Sequence, residues 1–350
     1  MNKVENKPMK VRETKNSIKA DFERTPFWER MRAKFINLYT IQKVVWYLFR
    51  FLLLLGISYV ILFPFYSKIA SSFMSTEDFV DVTVRLIPKH PTLETYKAII
   101  VDNKYFEALL NTFILSLVCG LLQTFISCLV GYGFAKFKFK GNNLLFLLVI
   151  FTMVVPHTTL QLSLFMKFRY FDILGIINFL GGGVTDFVNI LDTTSINFIN
   201  TNWPLYILSA TGLAYKNGLY IFLMRQFFKG IPDELEESAY LDGSGVFRTF
   251  FSIIIPLSVT MMITVFMFSF CWQWTDNFYT DLFYTTSGDI LLPDIVKIPK
   301  SLDTNYAGQA LYTAAIRNTC GILIIIPLII LYLFGQKYIV QGIERSGITG

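Results

Sequence analysis

The chain has 350 residues, of which 53% are hydrophobic and 16% are charged, and its mean hydropathy is +0.50. Soluble domains carry about 25% charged residues, so this composition excludes an ordinary soluble protein. The net charge is +6, but 11 of the 31 lysines and arginines lie in the first 46 positions, ahead of the first long apolar run. Basic residues in that position are typical of contact with an anionic membrane surface, and a nucleic-acid partner is not predicted.

The cysteines and histidines predict neither a metal site nor a catalytic centre. All four cysteines lie in apolar windows without the spacing of metal ligands, which is typical of small buried side chains. His90 and His157 are isolated in the sequence. The N-terminus is polar and charged before any apolar run begins, so a cleavable signal peptide is not predicted.

The first predicted element is a polar N-terminal tail. Residues 1–23 have the composition of a disordered segment. From Pro26 to Lys43, apolar residues recur at helical spacing between basic ones. This pattern fits a short amphipathic helix on the cytoplasmic membrane surface and fits an ordinary solvated lead-in equally well. Either alternative makes residues 1–43 a cytoplasmic tail.

Six windows are long and apolar enough, or nearly so, to cross a bilayer, which takes about 20 helical residues. The fourth is the weakest, because Lys216 and Asn217 interrupt it. A further apolar run, Ile173–Val184, is too short to span and fits a re-entrant or packing segment. We therefore predict an all-α integral membrane protein with six transmembrane helices within residues 44–336. The windows are Val44–Tyr66, Ala108–Ala135, Gly141–Met166, Pro204–Phe228, Thr249–Thr275 and Asn318–Gln336.

The distribution of basic residues predicts that both termini lie in the cytoplasm. In that orientation the cytoplasmic segments hold 19 lysines and arginines, and the longer outside segments hold 10. Three of the 19 lie in the tight turn Lys136–Lys140 between the second and third windows. Because positive residues accumulate on the cytoplasmic side, we expect a multi-pass protein of the cell membrane with a cytoplasmic tail at 337–350. Trp272 and Trp274 would then form an aromatic belt at the outer end of the fifth window.

The segment between the fourth and fifth windows predicts two short helices. Pro232 suits a first helical position, and the carboxylates after it favour the positive end of the helix dipole. Gly243 is placed to end this helix in a left-handed conformation, and Ser244 to cap the next one. Ser238 and Ala239 leave one face nearly bare, so another protein could approach the backbone closely. A docking element explains this pattern better than a plain capped loop.

This segment also carries a family resemblance. It resembles the cytoplasmic "EAA…G" loop of ABC-importer permeases, whose first helix seats in a cleft on an ATPase subunit. Ser238 stands where the family usually has a second alanine, and this change keeps the side chain small. By position, the resemblance implies a coupling loop at 230–250 between the fourth and fifth helices. It implies ATPase-coupling roles for Glu237, Ser238, Ala239, Asp242, Gly243 and Pro256.

The C-terminal sequence narrows the resemblance to the carbohydrate group. It is similar to the ending of the smaller permease of maltose-type transporters, which implies a secondary ATPase contact at Gln336, Tyr338 and Gly342. The resemblance covers residues 44–350. The stretch 170–200, which contains Gly181-Gly-Gly183, is longer than is typical of the family.

The resemblance implies a function. Such a permease forms half of the translocation path of an ATP-driven, binding-protein-dependent importer for a sugar or oligosaccharide, and it is not an enzyme. The expected partners are a second homologous permease in a heterodimer, two ATPase subunits, an extracytoplasmic sugar-binding protein and membrane lipids. The sequence has no Gly-rich phosphate loop with Lys-Ser/Thr, so we expect no cofactor in this chain and ATP on the ATPase subunits.

Two other classes of transporter stay open. A permease of an ABC importer for a peptide, an amino acid or phosphate would share the same loop. A secondary transporter is expected to show inverted repeats and carboxylates within its spans. The second, third, fifth and sixth windows contain no carboxylate, which disfavours coupling to an ion gradient.

Lys216 and Asn217, with Gly212 and Gly218 on either side, allow two hypotheses. A lysine at membrane depth costs roughly 2.5–3.5 kcal/mol, so it is expected to face protein or water. In the first hypothesis the helix bends here and the two polar residues border the translocation path. In the second, the span begins near Gly218 and Lys216 lies in an outer vestibule.

Overall fold

The computed structural model describes residues 38–173, 175–180, 195–285, 290–304 and 309–347. It divides into two compact units, with the boundary between Ser67 and Lys68. The described part of the first unit belongs to one helix, α1 (Leu38–Ser72), whose last residues lie in the second unit. The predicted N-terminal amphipathic helix, up to residue 37, and the triple glycine 181–183 lie outside the described residues.

The described part of the chain is helical, and its only β-type pairing is one isolated bridge between Phe171 and Ile196. Short 3-10 turns cover His157–Leu160 and Leu292–Ile295, and a π-helical segment covers Phe250–Ile254. The helices that follow α1 are α2 (Thr76–Val80), α3 (Glu94–Asp102), α4 (Tyr105–Lys136), α5 (Asn142–Val154), α6 (Gln161–Arg169), α7 (Ile176–Leu180), α8 (Trp203–Ala210), α9 (Asn217–Lys229), α10 (Glu234–Leu241), α11 (Val246–Thr249), α12 (Ile255–Trp274), α13 (Phe278–Phe283) and α14 (Gln309–Gly347).

Within the described ranges, four stretches are long and apolar enough to cross a membrane as single helices. They correspond to the first, second, fifth and sixth predicted windows, and these four helix predictions are confirmed. The stretches are Gln42–Ser72, Tyr105–Lys136, Val246–Trp274 and Gln309–Gly342.

The third predicted window is a bent pair of helices. Asn142–Val154 and His157–Arg169 meet at 94°, and together they are long and apolar enough for one span. The bend falls at Val155 and Pro156, which both have extended backbone angles. Proline lacks an N–H and pushes the residue before it out of the helical region, so Pro156 explains the break.

The fourth predicted window is broken at the polar residues that interrupt it in the sequence. Helix α8 ends at Ala210 and α9 begins at Asn217. Between them, Gly212 and Lys216 adopt positive φ angles of +75° and +66°. A left-handed residue cannot continue a right-handed helix. The helix is therefore interrupted at the polar residues within the window.

Helix α4 lies at the centre of the second unit. It packs against α8, α9 and α12, and α12 packs in turn against α14. Gly131 permits the close approach of α4 to α9, since a Cβ at this position would lie 2.7 Å from the Cβ of Met224. Polar groups inside this core pair with one another, as where Gln123 Nε2 donates to Ser209 Oγ at 3.1 Å.

Two predictions at helix ends require correction. Trp274 does not belong to an outer aromatic belt, because it is buried and its Nε1 donates to the carbonyl of Ile324 at 3.0 Å. Trp272 is partly exposed. At the C-terminus, α14 continues to Gly347, so the helix extends beyond residue 336, the predicted end of the sixth window.

Candidate functional site

Helix α10 ends in a Schellman motif built on Gly243. The N–H of Gly243 donates to the carbonyl of Tyr240 at 3.0 Å, and the N–H of Ser244 donates to that of Ala239 at 2.9 Å. Gly243 has a φ of +82°, which glycine adopts without the penalty that a Cβ imposes. The predicted left-handed helix end at Gly243 is confirmed.

The two helices of this segment begin later than predicted. Asp233 is the N-cap of α10, and its carbonyl accepts the N–H groups of Glu236 and Glu237 at 3.0 Å each. Pro232 therefore precedes the helix. Helix α11 has Gly245, not Ser244, at its N-cap. The Oγ of Ser244 accepts a hydrogen bond from the hydroxyl of Thr249. Both predicted start positions are wrong by one or two residues.

An ion-pair network, in which Lys136 and Glu236 are buried and Asp233 is exposed, fastens α10 to the end of α4. The side chain of Lys136 is 6% exposed, and its Nζ lies 2.6 Å from Asp233 Oδ1 and 3.4 Å from Glu236 Oε1. The same Nζ donates to the carbonyl of Ile231 at 2.7 Å. One turn earlier, the hydroxyl of Tyr132 donates to Glu236 Oε2 at 3.1 Å. We call Tyr132, Lys136, Asp233 and Glu236 the Lys136 clamp.

The clamp favours the ionised form of the Asp233 carboxyl. The hydrogen bond from Lys136 lowers the pKa of the Asp233 carboxyl below its ordinary value of 3.8. A carboxyl with a lowered pKa stabilises the fold while it is ionised. Its contribution is therefore complete at neutral pH, and it is lost as the pH falls below about 4 and through the lowered pKa.

The residues predicted to contact an ATPase lie on two faces of α10. Glu237, Ser238 and Asp242 are exposed, whereas Ala239 is buried against this chain. Ala239 thus lies on the inner face, three residues after the buried Glu236 of the clamp. The predicted bare face of adjacent small residues is not present as one surface.

Leu241 and Phe247 add two large apolar side chains to the exposed surface of this segment. No pattern in the sequence had indicated Leu241. Leu241 is 89% exposed and Phe247 is 79% exposed. Large apolar side chains in water are typical of surfaces that bind another protein. In the residues after Gly245, Phe250 is buried while Phe247 and Phe251 are exposed.

Pro256 lies in the first turn of α12, directly after the π-helical segment. Proline donates no N–H, and its ring crowds the carbonyl four residues before it. The preceding N–H, that of Ile255, bonds to the carbonyl of Phe250, five residues back. The wider π turn accommodates the proline, so Pro256 forms a joint in the helix that leads from the loop into the fifth window.

The three predicted tail residues lie in the last part of α14. Gln336 and Tyr338 are exposed, and Gln336 Nε2 bonds back to Leu333 within the helix. Gly342 is buried, and a Cβ at this position would overlap Thr264 Oγ1 of α12. Gly342 therefore permits close packing of two helices, which is a structural reason for a glycine at this position.

A cavity of about 880 Å³ lies where the third and fourth windows break. Lys216 lines it, with its Nζ 4.5 Å from the ring centre of Tyr215 and 4.9 Å from that of Trp272. Asn217 is buried instead, and its Nδ2 donates to Ser127 Oγ at 3.4 Å. Of the two residues predicted to border a path, the structure places Lys216 in the cavity wall and Asn217 inside the helix packing.

The described helices define a polytopic membrane protein. The family model for the binding-protein-dependent transport system inner membrane component matches residues 123–345, and the chain belongs to this family. It is therefore a multi-pass inner-membrane transport protein and not an enzyme. In the described part of the chain, no group of three or more His, Cys, Asp or Glu side chains could hold a metal ion.

Two known relatives cover almost the whole chain. It is 26% identical over 314 residues to the galactooligosaccharides transport system permease protein GanQ of Bacillus subtilis (strain 168), which covers 89% of this chain and 98% of that protein. It is 28% identical over 312 residues to the maltodextrin transport system permease protein MalD of Streptococcus pneumoniae (strain ATCC BAA-255 / R6), covering 86% and 94%.

The fold is similar to that of a solved transporter. The crystal structure of a bacterial ABC transporter involved in the import of the acidic polysaccharide alginate contains a chain that matches with a TM-score of 0.63. The match has 19% sequence identity and covers 86% of this chain and 99% of that chain. At this identity the similarity concerns the fold alone.

Proposed function

We propose that this chain is a transmembrane permease subunit of an ATP-driven, binding-protein-dependent importer for a sugar or oligosaccharide. The observation that carries the proposal is the family match, which includes the segment 230–250. Relatives named for the transport of galactooligosaccharides and maltodextrin support a carbohydrate substrate. The chain would form half of the translocation path, and a second homologous permease would form the other half.

Helix α10 is the proposed coupling helix. Its exposed residues Glu237, Ser238 and Asp242, together with Leu241 and Phe247, would contact an ATPase subunit. This mixture of polar and large apolar exposed groups is typical of a protein interface. Gly243 would set the direction in which the chain leaves this surface, and Ala239 would space α10 from its own chain.

The Lys136 clamp gives the proposed coupling helix a rigid connection. Three contacts of the Lys136 ammonium and one of the Tyr132 hydroxyl join the start of α10 to the last turns of α4. Helix α4 is the helix against which α8, α9 and α12 pack. A displacement of α10 by ATPase closure would therefore reach the centre of the permease. The tail at Gln336 and Tyr338 would supply a secondary contact.

We propose six passes with both termini in the cytoplasm, the bent pair α5 and α6 and the broken pair α8 and α9 serving as the third and fourth. Residues 1–43 and 337–350 would be cytoplasmic segments around the permease domain, 44–336. Topology reporters fused after Thr201 should report the outside, and those fused after Gly243 should report the cytoplasm. An outside signal after Gly243 would contradict the proposed ATPase contact.

The proposed division of labour places ATP on other polypeptides. The purified chain alone should bind no nucleotide and transport no saccharide in vesicles. Assembled with a second permease, two ATPase subunits and an extracytoplasmic binding protein, it should support saccharide uptake that requires ATP. Nucleotide binding measured by equilibrium dialysis on the isolated chain would contradict the proposal, as would uptake without ATP by the complex.

A further inference from the structure

Lys216 presents an ammonium group to the 880 Å³ cavity without a carboxylate beside it. Its Nζ stands over the rings of Tyr215 and Trp272. Among the described residues, no Asp or Glu oxygen lies within ion-pair distance of this Nζ, and no side chain or carbonyl accepts a hydrogen bond from it. An ammonium held against aromatic rings has lost part of its water, and an anion complements it better than a neutral group does.

The carboxylate that does line the cavity, Asp276, serves another purpose. Its Oδ2 accepts the backbone N–H groups of Tyr279 and Thr280, at 3.0 and 3.2 Å. These are N–H groups of the first turn of α13, where a carboxylate stabilises the start of a helix. Asp276 therefore caps α13, and the positive charge of Lys216 stays available to a ligand.

The cavity has the walls that a saccharide requires. Its volume falls in the range of about 300–1,000 Å³ that is typical of ligand sites. Tyr215 and Trp272 meet edge to face at 5.6 Å and provide apolar ring surfaces. His157 Nδ1 lies 3.2 Å from the hydroxyl of Tyr279, so a polar pair lies on the same wall. Apolar faces beside hydrogen-bonding groups suit a sugar ring and its hydroxyls.

We propose that the cavity is a subsite for a saccharide that carries a carboxylate, a uronate unit, and that Lys216 binds this carboxylate. The proposal rests on the proposed function and specifies its substrate class. A lipid phosphate could also pair with an ammonium, but it would use neither the aromatic wall nor the His157–Tyr279 pair. The positive charge lies beside aromatic rings and hydrogen-bonding groups that suit a sugar, and this combination favours a uronate over a lipid phosphate.

The test uses the assembled transporter, with its partner permease, ATPase subunits and binding protein, in liposomes. A panel of uronate oligosaccharides is paired with neutral oligosaccharides of the same length and linkage, such as oligomers of galacturonate with oligomers of galactose joined through the same glycosidic bond. We expect the wild type to take up an acidic member. Lys216→Gln should reduce acidic uptake about tenfold, as expected for the loss of one charge-assisted hydrogen bond, and should leave neutral uptake unchanged.

Two control variants sharpen the test. Lys216→Arg keeps the charge and should retain acidic uptake. Lys297→Gln removes an exposed lysine that does not line the cavity, and it should change neither uptake. Equal losses of acidic and neutral uptake in Lys216→Gln would make Lys216 a structural residue and would overturn the proposal.

The remaining outcomes separate this proposal from the proposed function. Wild-type uptake of neutral saccharides alone would overturn the uronate subsite and leave a sugar importer standing. If no saccharide of the panel were taken up, both the uronate subsite and the proposed function would be overturned. A Lys216→Gln defect that follows the content of anionic phospholipid in the liposomes, whatever the saccharide, would assign the ammonium to a lipid phosphate and would also overturn the uronate subsite.

Discussion

Replacing Gly243 by valine should leave the chain in the membrane and abolish saccharide-stimulated ATP hydrolysis by the assembled transporter. Gly243 has a φ of +82°, and a Cβ added there would meet no atom within 4 Å. The cost is therefore backbone strain, about 1 kcal/mol or more for a β-branched residue. Relief of this strain would break the Schellman motif and displace the exposed face of α10. Membrane content of the variant and ATPase activity of the complex are the two measurements.

Gly245→Val is the matched control for this prediction. A Cβ at Gly245 would also meet nothing within 4 Å, but Gly245 has a φ of −80°, which any residue adopts. The two variants add the same side chain two residues apart and differ in backbone strain. Gly245→Val should therefore keep the stimulated activity. Equal losses in both variants would mean that added bulk is the cause, and full activity of Gly243→Val would place the ATPase contact elsewhere.

Local signals in the sequence predicted local structure well. The end of α10 at Gly243 depends on one residue and on the hydrogen bonds of its own helix, so a glycine at the right position sufficed. Four apolar windows became single helices because length and hydropathy decide that outcome. Pro156 was also visible, yet the 94° bend was missed because the window was judged on hydropathy alone.

Contacts between distant segments could not be predicted in the same way. Lys136 counted only as one of the basic residues that set topology, although it meets Asp233, which lies 97 residues later. Trp274 looked like an interfacial tryptophan until the packing of α12 against α14 buried it. The burial of Ala239 likewise depends on the direction in which α10 faces its own chain. These contacts and burials follow from tertiary packing, and the spacing of residues within one segment cannot predict them.

Replacing Lys136 by methionine should lower the stability of the chain and disconnect ATP hydrolysis from the permease in the assembled transporter. The side chain of Glu236 is 9% exposed, and without Lys136 its charge would be buried with the hydroxyl of Tyr132 as its remaining partner in the clamp. Removing one partner of a buried ion pair costs roughly 3–5 kcal/mol. The variant should lose thermal stability in detergent, and the assembled complex should lose saccharide-stimulated ATP hydrolysis because three of the four clamp contacts between the start of α10 and α4 are lost.

Lys138→Met tests whether the defects of Lys136→Met come from the lost clamp or from the lost positive charge of the turn, which helps to set membrane topology. Lys138 lies in the same turn and is exposed, so its loss removes the same positive charge from the same loop while every hydrogen bond and ion pair of the clamp stays in place. Its stability and activity should match the wild type. Comparable defects in the Lys136 and Lys138 variants would show that the charge of the turn matters and that the clamp does not.

The double variant Lys136→Met with Glu236→Gln distinguishes stability from coupling. Glutamine has no charge to bury, and it keeps an oxygen that can accept the Tyr132 hydroxyl, so most of the lost stability should return. The bonds from Lys136 to Asp233 and to the carbonyl of Ile231 stay absent, so the Tyr132 hydroxyl is the one contact of the clamp that still joins α10 to α4. We therefore expect a double variant that unfolds near the wild-type temperature while its stimulated ATP hydrolysis stays low. Recovery of both properties would mean that the clamp only stabilises the fold, and that the motion of α10 reaches the membrane helices by another contact.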